Sequence, residues 1–311
     1  MLIPKSRLGS GGRARSAARV INPCPGPSSR SRPCGLRIGG DFLEIGGRKL
    51  AGVAALNASD GSLVEEWTPP VNYGGSFVGQ AGDPTEAAQG VVGALVVTGD
   101  GRFVMVGGDF LHLGTRPEGD KNSQKSGLVA LNASDGSLAP WKPQNNRPVF
   151  DLELSADKRM VLSAQGGGGG ALIAHLPDQE ERVFIKYVDG DALTLAVSDE
   201  RIYFGGHFDV EVEDPNEERL KNIPVQCFKG APHEAKSATA HRHLVAFHPN
   251  GDLDDTWTAQ TDTAEGPNVL LAGPDGLYLG GNFFNTLDKH GVLQGGKPTW
   301  HPGFALFPPI S

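Results

Sequence analysis

The sequence predicts an all-β fold, a β-propeller of four-stranded antiparallel blades, on three observations. A unit of short apolar runs and turn residues recurs five times. Glycine and proline are abundant, at 44 and 23 of 311 residues, without the three-residue glycine period of collagen. Nothing keeps a helical period over ten or more residues. The length allows roughly one large or two ordinary domains.

The first 40 residues hold eight Lys and Arg and no carboxylate; Asp41 is the first. Residues 41–311 carry 20 basic and 36 acidic side chains, so the net charge of −8 conceals a body at −16. Residues 1–35 read as a basic low-complexity tail, disordered or a misassigned start, rich in Ser, Gly, Pro and Arg. They contain no run of 7–15 apolar residues of the kind a secretory signal needs. No apolar run anywhere approaches the ~20 residues of a membrane span. The acidic balance argues against a general nucleic-acid binder. Three cysteines, Cys24, Cys34 and Cys227, are too few for a disulfide framework.

The propeller is expected over 36–311, with blades near 36–70, 91–144, 147–187, 191–259 and 267–309. In the first, Ile38-Gly39-Gly40-Asp41-Phe42 precedes the octapeptide Leu56-Asn57-Ala58-Ser59-Asp60-Gly61-Ser62-Leu63 and Trp67-Thr68-Pro69. No convincing inner strand precedes Leu36, so the ring either closes with five blades or is open at its N-terminal end. The second repeats the series as Val106-Gly107-Gly108-Asp109-Phe110, the identical octapeptide from Leu131 to Leu138, and Trp141-Lys142-Pro143. Ahead of its Gly-Gly pair, Val91–Val97 and Arg102–Val106 flank the turn Gly99-Asp100-Gly101. Asp60-Gly61 and Asp135-Gly136 mark tight hairpins. The third is degenerate, with Gly166–Gly170 in the Gly-Gly slot. The fourth and fifth restore the pair as Phe204-Gly205-Gly206-His207-Phe208 and Leu279-Gly280-Gly281-Asn282-Phe283. One such sheet cannot bury both faces alone, so Val104, Val106, Leu128, Ala130 and Trp141 are expected to pack against the next unit.

The ordered series Gly-Gly-Asp-Phe, then Val-Ala-Ala-Leu-Asn-Ala-Ser-Asp-Gly-Ser-Leu, then Trp-X-Pro resembles the delta-60 type repeat of bacterial β-propeller proteins over residues 36–309. The resemblance implies a propeller, often extracellular or at the cell surface, and carries no agreed catalytic residues. Quinoprotein propellers share part of the wording, but lack Gly-Gly-Asp-Phe.

In such a topology the longest connections leave one face, and ordered loops on a rigid scaffold are where binding resides. The expected function is therefore a non-enzymatic binding or adhesion scaffold for a protein or carbohydrate partner, acting as a monomer. A propeller hydrolase or lyase is the alternative. The residue following each Gly-Gly pair, Asp41, Asp109, His207 or Asn282, is a candidate ligand-binding position, though short polar side chains at that place also suit a repeated turn. His207, Cys227, His241 and His243 are candidate metal ligands by residue type, although their spacing does not match structural zinc motifs. No cofactor is expected; Zn²⁺ and Ca²⁺ are the candidate ions. No nucleophile-elbow, zinc-protease or phosphate-loop motif occurs. Asn57-Ala58-Ser59 and Asn132-Ala133-Ser134 fit glycosylation sequons but sit where turn chemistry needs Asn.

Overall fold

The computed structural model describes residues 35–50, 52–70, 90–110, 127–143, 145, 147–167, 169–208, 242–257, 259–262, 265–287 and 302–308, together with the backbone of five short strands at 18–21, 73–74, 112–113, 210–212 and 238–240. Every regular element among them is a β-strand and every pairing is antiparallel. The first unit comprises β1 (Ala18–Ile21), β2 (Gly35–Gly39), the small ribbon β3 (Glu44–Ile45) and β4 (Arg48–Lys49), and β5 (Val53–Asn57). After β6 (Tyr73–Gly74), the second unit has β7 (Val91–Val97), β8 (Phe103–Asp109), β9 (His112–Leu113) and β10 (Leu128–Asn132). The third has β11 (Val149–Leu154), β12 (Val161–Gln165), β13 (Gly170–His175) and β14 (Arg182–Val188). The fourth has β15 (Asp191–Val197), β16 (Ile202–His207), β17 (Val210–Val212), β18 (Ala238–Ala240) and β19 (Leu244–Phe247). The fifth follows β20 (Gln260–Thr261) with β21 (Gly266–Gly273), β22 (Gly276–Asn282), β23 (Thr286–Leu287) and β24 (Phe304–Phe307).

Two features differ from the sequence reading. An inner strand for the first unit does exist: β1 pairs with β2 from Ala18↔Gly39 to Ile21↔Leu36, inside the segment read as tail. Its Ala-Arg-Val-Ile run is too short to stand out from the surrounding Arg, Ser, Gly and Pro. Among the described residues the fourth strand is complete only in the third unit. In units one, two and four it shrinks to single bridges, Leu56↔Leu63, Leu131↔Leu138 and Phe247↔Leu253. The reason lies in where the backbone donors go. Beyond the first bridge, Thr68 N donates to Asp135 O of the second unit at 2.7 Å, so the chain bonds across to the next unit instead of extending its own ladder.

Four apolar cores hold the units together, each shared by consecutive units. Val53, Ala55 and Trp67 pack on Val92, Leu95 and Val106; Leu128, Ala130 and Trp141 pack on Val149, Leu152 and Val161. Leu162, Leu172 and Ala174 meet Leu195, Phe204 and Phe247, and Tyr203, Leu244 and Trp257 meet Leu270, Leu279 and Phe307. Val104 and Val106 thus face backwards, toward unit one, and not the next unit as expected from sequence, because alternate residues of β8 serve opposite faces; Leu128, Ala130 and Trp141 do face forwards. Consecutive inner strands β1, β7, β11, β15 and β21 lie side by side in that order.

Both glycines of the repeated pair have a steric reason. The first admits the following unit: a Cβ on Gly107 would lie 2.6 Å from Val149, and one on Gly39 2.8 Å from Val92. The second closes on its own inner strand, where a Cβ at Gly108 or Gly206 would meet the carbonyl of Val91 or Asp191 at 2.1 or 2.2 Å. Its N–H always bonds the residue ahead of the third strand: Gly40 to Gly52 O, Gly108 to Gly127 O, Gly206 to His243 O and Gly281 to Gly303 O, at 2.9–3.1 Å. The two identical octapeptides fold identically. Asn57 and Asn132 donate through Nδ2 to Ser62 and Ser137 Oγ, and the Asp60 and Asp135 carboxylates accept from Ser62 and Ser137 N. Both sequon asparagines therefore spend their amides on the turn.

Candidate functional site

In units two to five the two ends of the sheets differ. At one end the chain turns by short hairpins. The other end carries the long connections after β8, β16 and β22, and also the link before β7. Small ribbons anchor the bases of these connections. β6 pairs with β9, β20 pairs with β23, and the β17–β18 ribbon extends the third sheet through Tyr187↔Val212. The link before a unit is thereby laced to that unit's own long connection, in the second and fifth units alike.

The four residues after the Gly-Gly pairs lie at this end, one in each of four units. Asp109, His207 and Asn282 stand opposite Val91, Asp191 and Gly266 in their ladders. Their surroundings differ: Asp41 and Asn282 are exposed, His207 is half-buried and Asp109 is buried. Asn282 Nδ2 donates to Glu265 Oε2 at 2.8 Å. Each is followed by an aromatic residue, and Phe110, Phe208 and Phe283 are buried in the apolar cores between units.

Of the candidate metal ligands, Cys227 and His241 lie outside the described residues. His243 is buried, with Nδ1 3.0 Å from Thr261 Oγ1 and 3.2 Å from Thr261 O. It occupies the place ahead of the third strand where other units have Gly52, Gly127 and Gly303. Its φ of +68° matches the +80° and +75° of Gly52 and Gly303. A β-carbon in the left-handed region is strained, and the ring's bonds to β20 offset that strain. Aligning the repeats reveals this break; reading His243 for its ligand chemistry alone misses it. Nearby, Asp262 accepts from Phe284 N and Asn285 N, each at 2.9 Å, and from Asn285 Nδ2 at 2.7 Å. Burial opposes ionisation of Asp262, but these donors outweigh it and hold its carboxyl below the ordinary value. Among the described residues, no group of three or more His, Cys, Asp or Glu could hold a metal ion.

A second feature lies at the opposite, hairpin end. A pocket of about 350 Å³ runs between Val96 of unit two, Glu153 to Ala156 and Lys158 of unit three, and Val197 to Asp199 of unit four. Desolvation, with the neighbouring Asp151 adding to it, raises the Glu153 carboxyl to about 7. Asp151 is itself raised to about 6 by burial, against hydrogen bonds from Leu195 N, Leu152 N and Thr194 Oγ1. The two hydroxyls beside Glu153 are engaged, Ser155 Oγ with Asp157 and Ser198 Oγ with the Arg201 backbone. Sequence reasoning placed no site here, because the shift arises from an acid pair on one strand face closed by the next unit.

Comparison with known proteins gives structural neighbours only. No protein-family model matches the chain, and no curated protein does. The extracellular domain of a hybrid two component system of B. thetaiotaomicron is similar at 14% identity and a TM-score of 0.40, over 80% of this chain and 25% of that one. A chain of the mitotic checkpoint complex is similar at 12% identity and a TM-score of 0.45, over 93% of this chain and 73% of that one. This chain thus spans a quarter of the first neighbour's length. Among the described residues no helix is long and apolar enough to cross a membrane.

Proposed function

We propose that the five units are blades of a delta-60-type β-propeller that works outside the cell as a binding scaffold, holding a protein or carbohydrate partner on the face of the long connections. One observation carries this reading: the long connections emerge together and are tied at their bases by three β-ribbons. Such lacing holds the base of each variable segment in register, which lowers the ordering penalty when a partner binds. The three-part repeat supports the family, since each part has a packing role that recurs between units.

The test is a paired deletion. Residues 213–237 are replaced by a tight turn between β17 and β18, and the intact and shortened proteins are screened against glycan and peptide arrays. Loss of a specific ligand at unchanged thermal stability supports the reading. Turnover of a substrate that is abolished on replacing His207 or His243, or one equivalent of bound metal per chain, overturns it in favour of an enzyme.

A further inference from the structure

The unit-to-unit joints reuse the same register positions, and both ends of the series are left unmatched. In unit two the positions facing forwards are Ala94, Val96, Met105, Leu128 and Ala130, which are wholly or largely covered by unit three. The same ladder places in unit five are Val269, Leu271, Tyr278, Phe304 and Leu306. Here Val269 is 57% exposed, Leu271 63%, Phe304 59% and Leu306 43%. The alternating residues Leu270, Leu279, Ala305 and Phe307 are buried against unit four. Exposed apolar residues grouped on one sheet face mark an interaction surface. Gly280 sharpens the point. In three earlier units the first glycine of the pair meets the next inner strand within 3 Å, but a Cβ on Gly280 would meet only its own neighbour Val269, at 3.9 Å.

Unit one shows the complementary gap. Leu36, Ile38 and Leu56 hold the places at which Val104, Val106 and Leu131 of unit two pack backwards, and all three are only half-buried. Gly136 in the second octapeptide lies under Trp67, and Gly251 of unit four lies under Phe184, whereas Gly61 has nothing within 4 Å. The two unmatched faces are the two halves of a joint this chain makes four times. Within the chain the inner-strand packing runs in series from β1 to β21, and β1 is not among the strands packed closely on β21.

We propose that a second copy of this chain covers the outer face of unit five with its unit one, and that two copies join reciprocally about a two-fold axis. The joint continues the established packing: Val269, Leu271, Phe304 and Leu306 of one copy take the place of unit two's forward face, and Leu36, Ile38 and Leu56 of the other take that of the backward face. Two such head-to-tail contacts close the assembly and leave no unmatched face. This dimer replaces the monomer expected from sequence, and is independent of any ligand on the long connections.

The experiment is sedimentation velocity and light scattering on the full chain. The wild-type protein is expected to be a dimer at micromolar concentration. Leu271→Glu combined with Leu306→Glu should raise the dimer dissociation constant by more than about 100-fold, with circular dichroism unchanged because both residues are exposed. Ile38→Glu, on the opposite face, should do the same. Mixing the two variants should restore a dimer through the one intact joint. A wild-type protein still monomeric at about 0.1 mM overturns the proposal. So does a dimer that survives Leu271→Glu/Leu306→Glu, or one that survives Ile38→Glu, which would mean fifth unit against fifth unit. A ladder of higher oligomers overturns the two-copy closure. Disulfide cross-linking of Ile38→Cys to Leu271→Cys within single chains would show the two faces meeting intramolecularly and overturn it as well.

Discussion

Replacing Gly61 and Gly136 separately by Ala compares two identical octapeptides that differ only in what lies above them. Their φ values are +73° and +79°, so an alanine is strained alike at both, by about 1–2 kcal/mol. At Gly61 nothing else happens, because the added methyl points into open space. At Gly136 the methyl would lie 2.9 Å from Trp67 Cδ2 and 3.0 Å from both Trp67 Cε2 and Pro69 N. Trp67 is 2% exposed and is wedged in the core between units one and two, so the ring cannot swing aside. Overpacking of that kind adds about 1–3 kcal/mol. Gly136→Ala should therefore destabilise by about 1–3 kcal/mol more than Gly61→Ala, read as the difference in urea midpoints at constant slope. Trp67→Ala should remove most of that difference in a double-mutant cycle, since the collision partner is gone. Equal losses at the two glycines, within about 0.5 kcal/mol, would refute the claim that each unit's terminal aromatic rests on the next unit's hairpin.

Four further outcomes follow from three buried polar groups and the more exposed Glu153. His175 is fully buried against Trp141, neither ring nitrogen has a hydrogen-bond partner, and burial, with Arg182 adding, lowers its pKa to about 4. The unfolded chain takes up that proton near 6.5, so stability falls as pH drops from 6.5 toward 4, by up to about 3 kcal/mol; His175→Phe should abolish this loss in pH-dependent denaturation. Glu153 has the opposite sign: its folded pKa near 7 lies above the unfolded value, so stability falls as pH rises from about 4.5 to 7. Glu153→Gln should gain about 1 kcal/mol at pH 8 and nothing at pH 4, the figure being reduced for the side chain's contact with solvent. Asp254, buried and bonded to Arg201 Nε at 2.7 Å, is held below the usual carboxylate range by its donors despite desolvation, so its contribution is lost as pH falls through its folded pKa. Asp254→Ala should cost about 2–4 kcal/mol at neutral pH, measured by the same denaturation, by removing the buried acceptor of Arg201 Nε and Thr256 N and leaving Arg201 only the exposed Glu200. Thr194→Val should cost about 1–3 kcal/mol in melting experiments, because Leu270 N then loses its buried acceptor at 3.0 Å.

The repeated words of the chain were legible because each performs the same packing task in several units. Gly39, Gly107 and Gly205 admit a neighbour, Asp60 and Asp135 turn a hairpin, and Trp67 and Trp141 fill a joint. What escaped the reading depends on partners in other units. β1 was hidden because four residues gain a strand's stability only by pairing with β2. The burial of both Val92 and Leu95 against unit one, three residues apart, follows from the bulge between Val92 and Ala94, which no local pattern marks. The Glu153 pocket was invisible because its walls combine Glu153 to Ala156 and Lys158 with Val96 of unit two and Val197 to Asp199 of unit four, which only the fold brings together. On the face of the long connections, the Gly-to-His exchange at His243 was open to inspection in the alignment of repeats, and its meaning needed Thr261 to be placed beside it.

The inner-strand bulges also explain why the joints are not interchangeable. In the fourth and fifth units the backbone N–H just after the bulge is met by a side chain of the preceding unit. Thr194 Oγ1 accepts from Leu270 N, and Asp151 Oδ2 accepts from Leu195 N while also receiving the Thr194 hydroxyl. Where the preceding unit offers Ala94 at that register, Leu152 N turns instead to Asp151 Oδ1 of its own unit at 2.9 Å. An apolar residue at this position therefore requires the following unit to satisfy its own donor, and a polar one forms a specific latch. Val269 continues the series on the open face of unit five and offers no latch. A partner docking there is held by apolar contact alone. That makes the joint between copies weaker than the third-to-fourth and fourth-to-fifth joints within the chain, and places its dissociation well before their unfolding on dilution or mild denaturation.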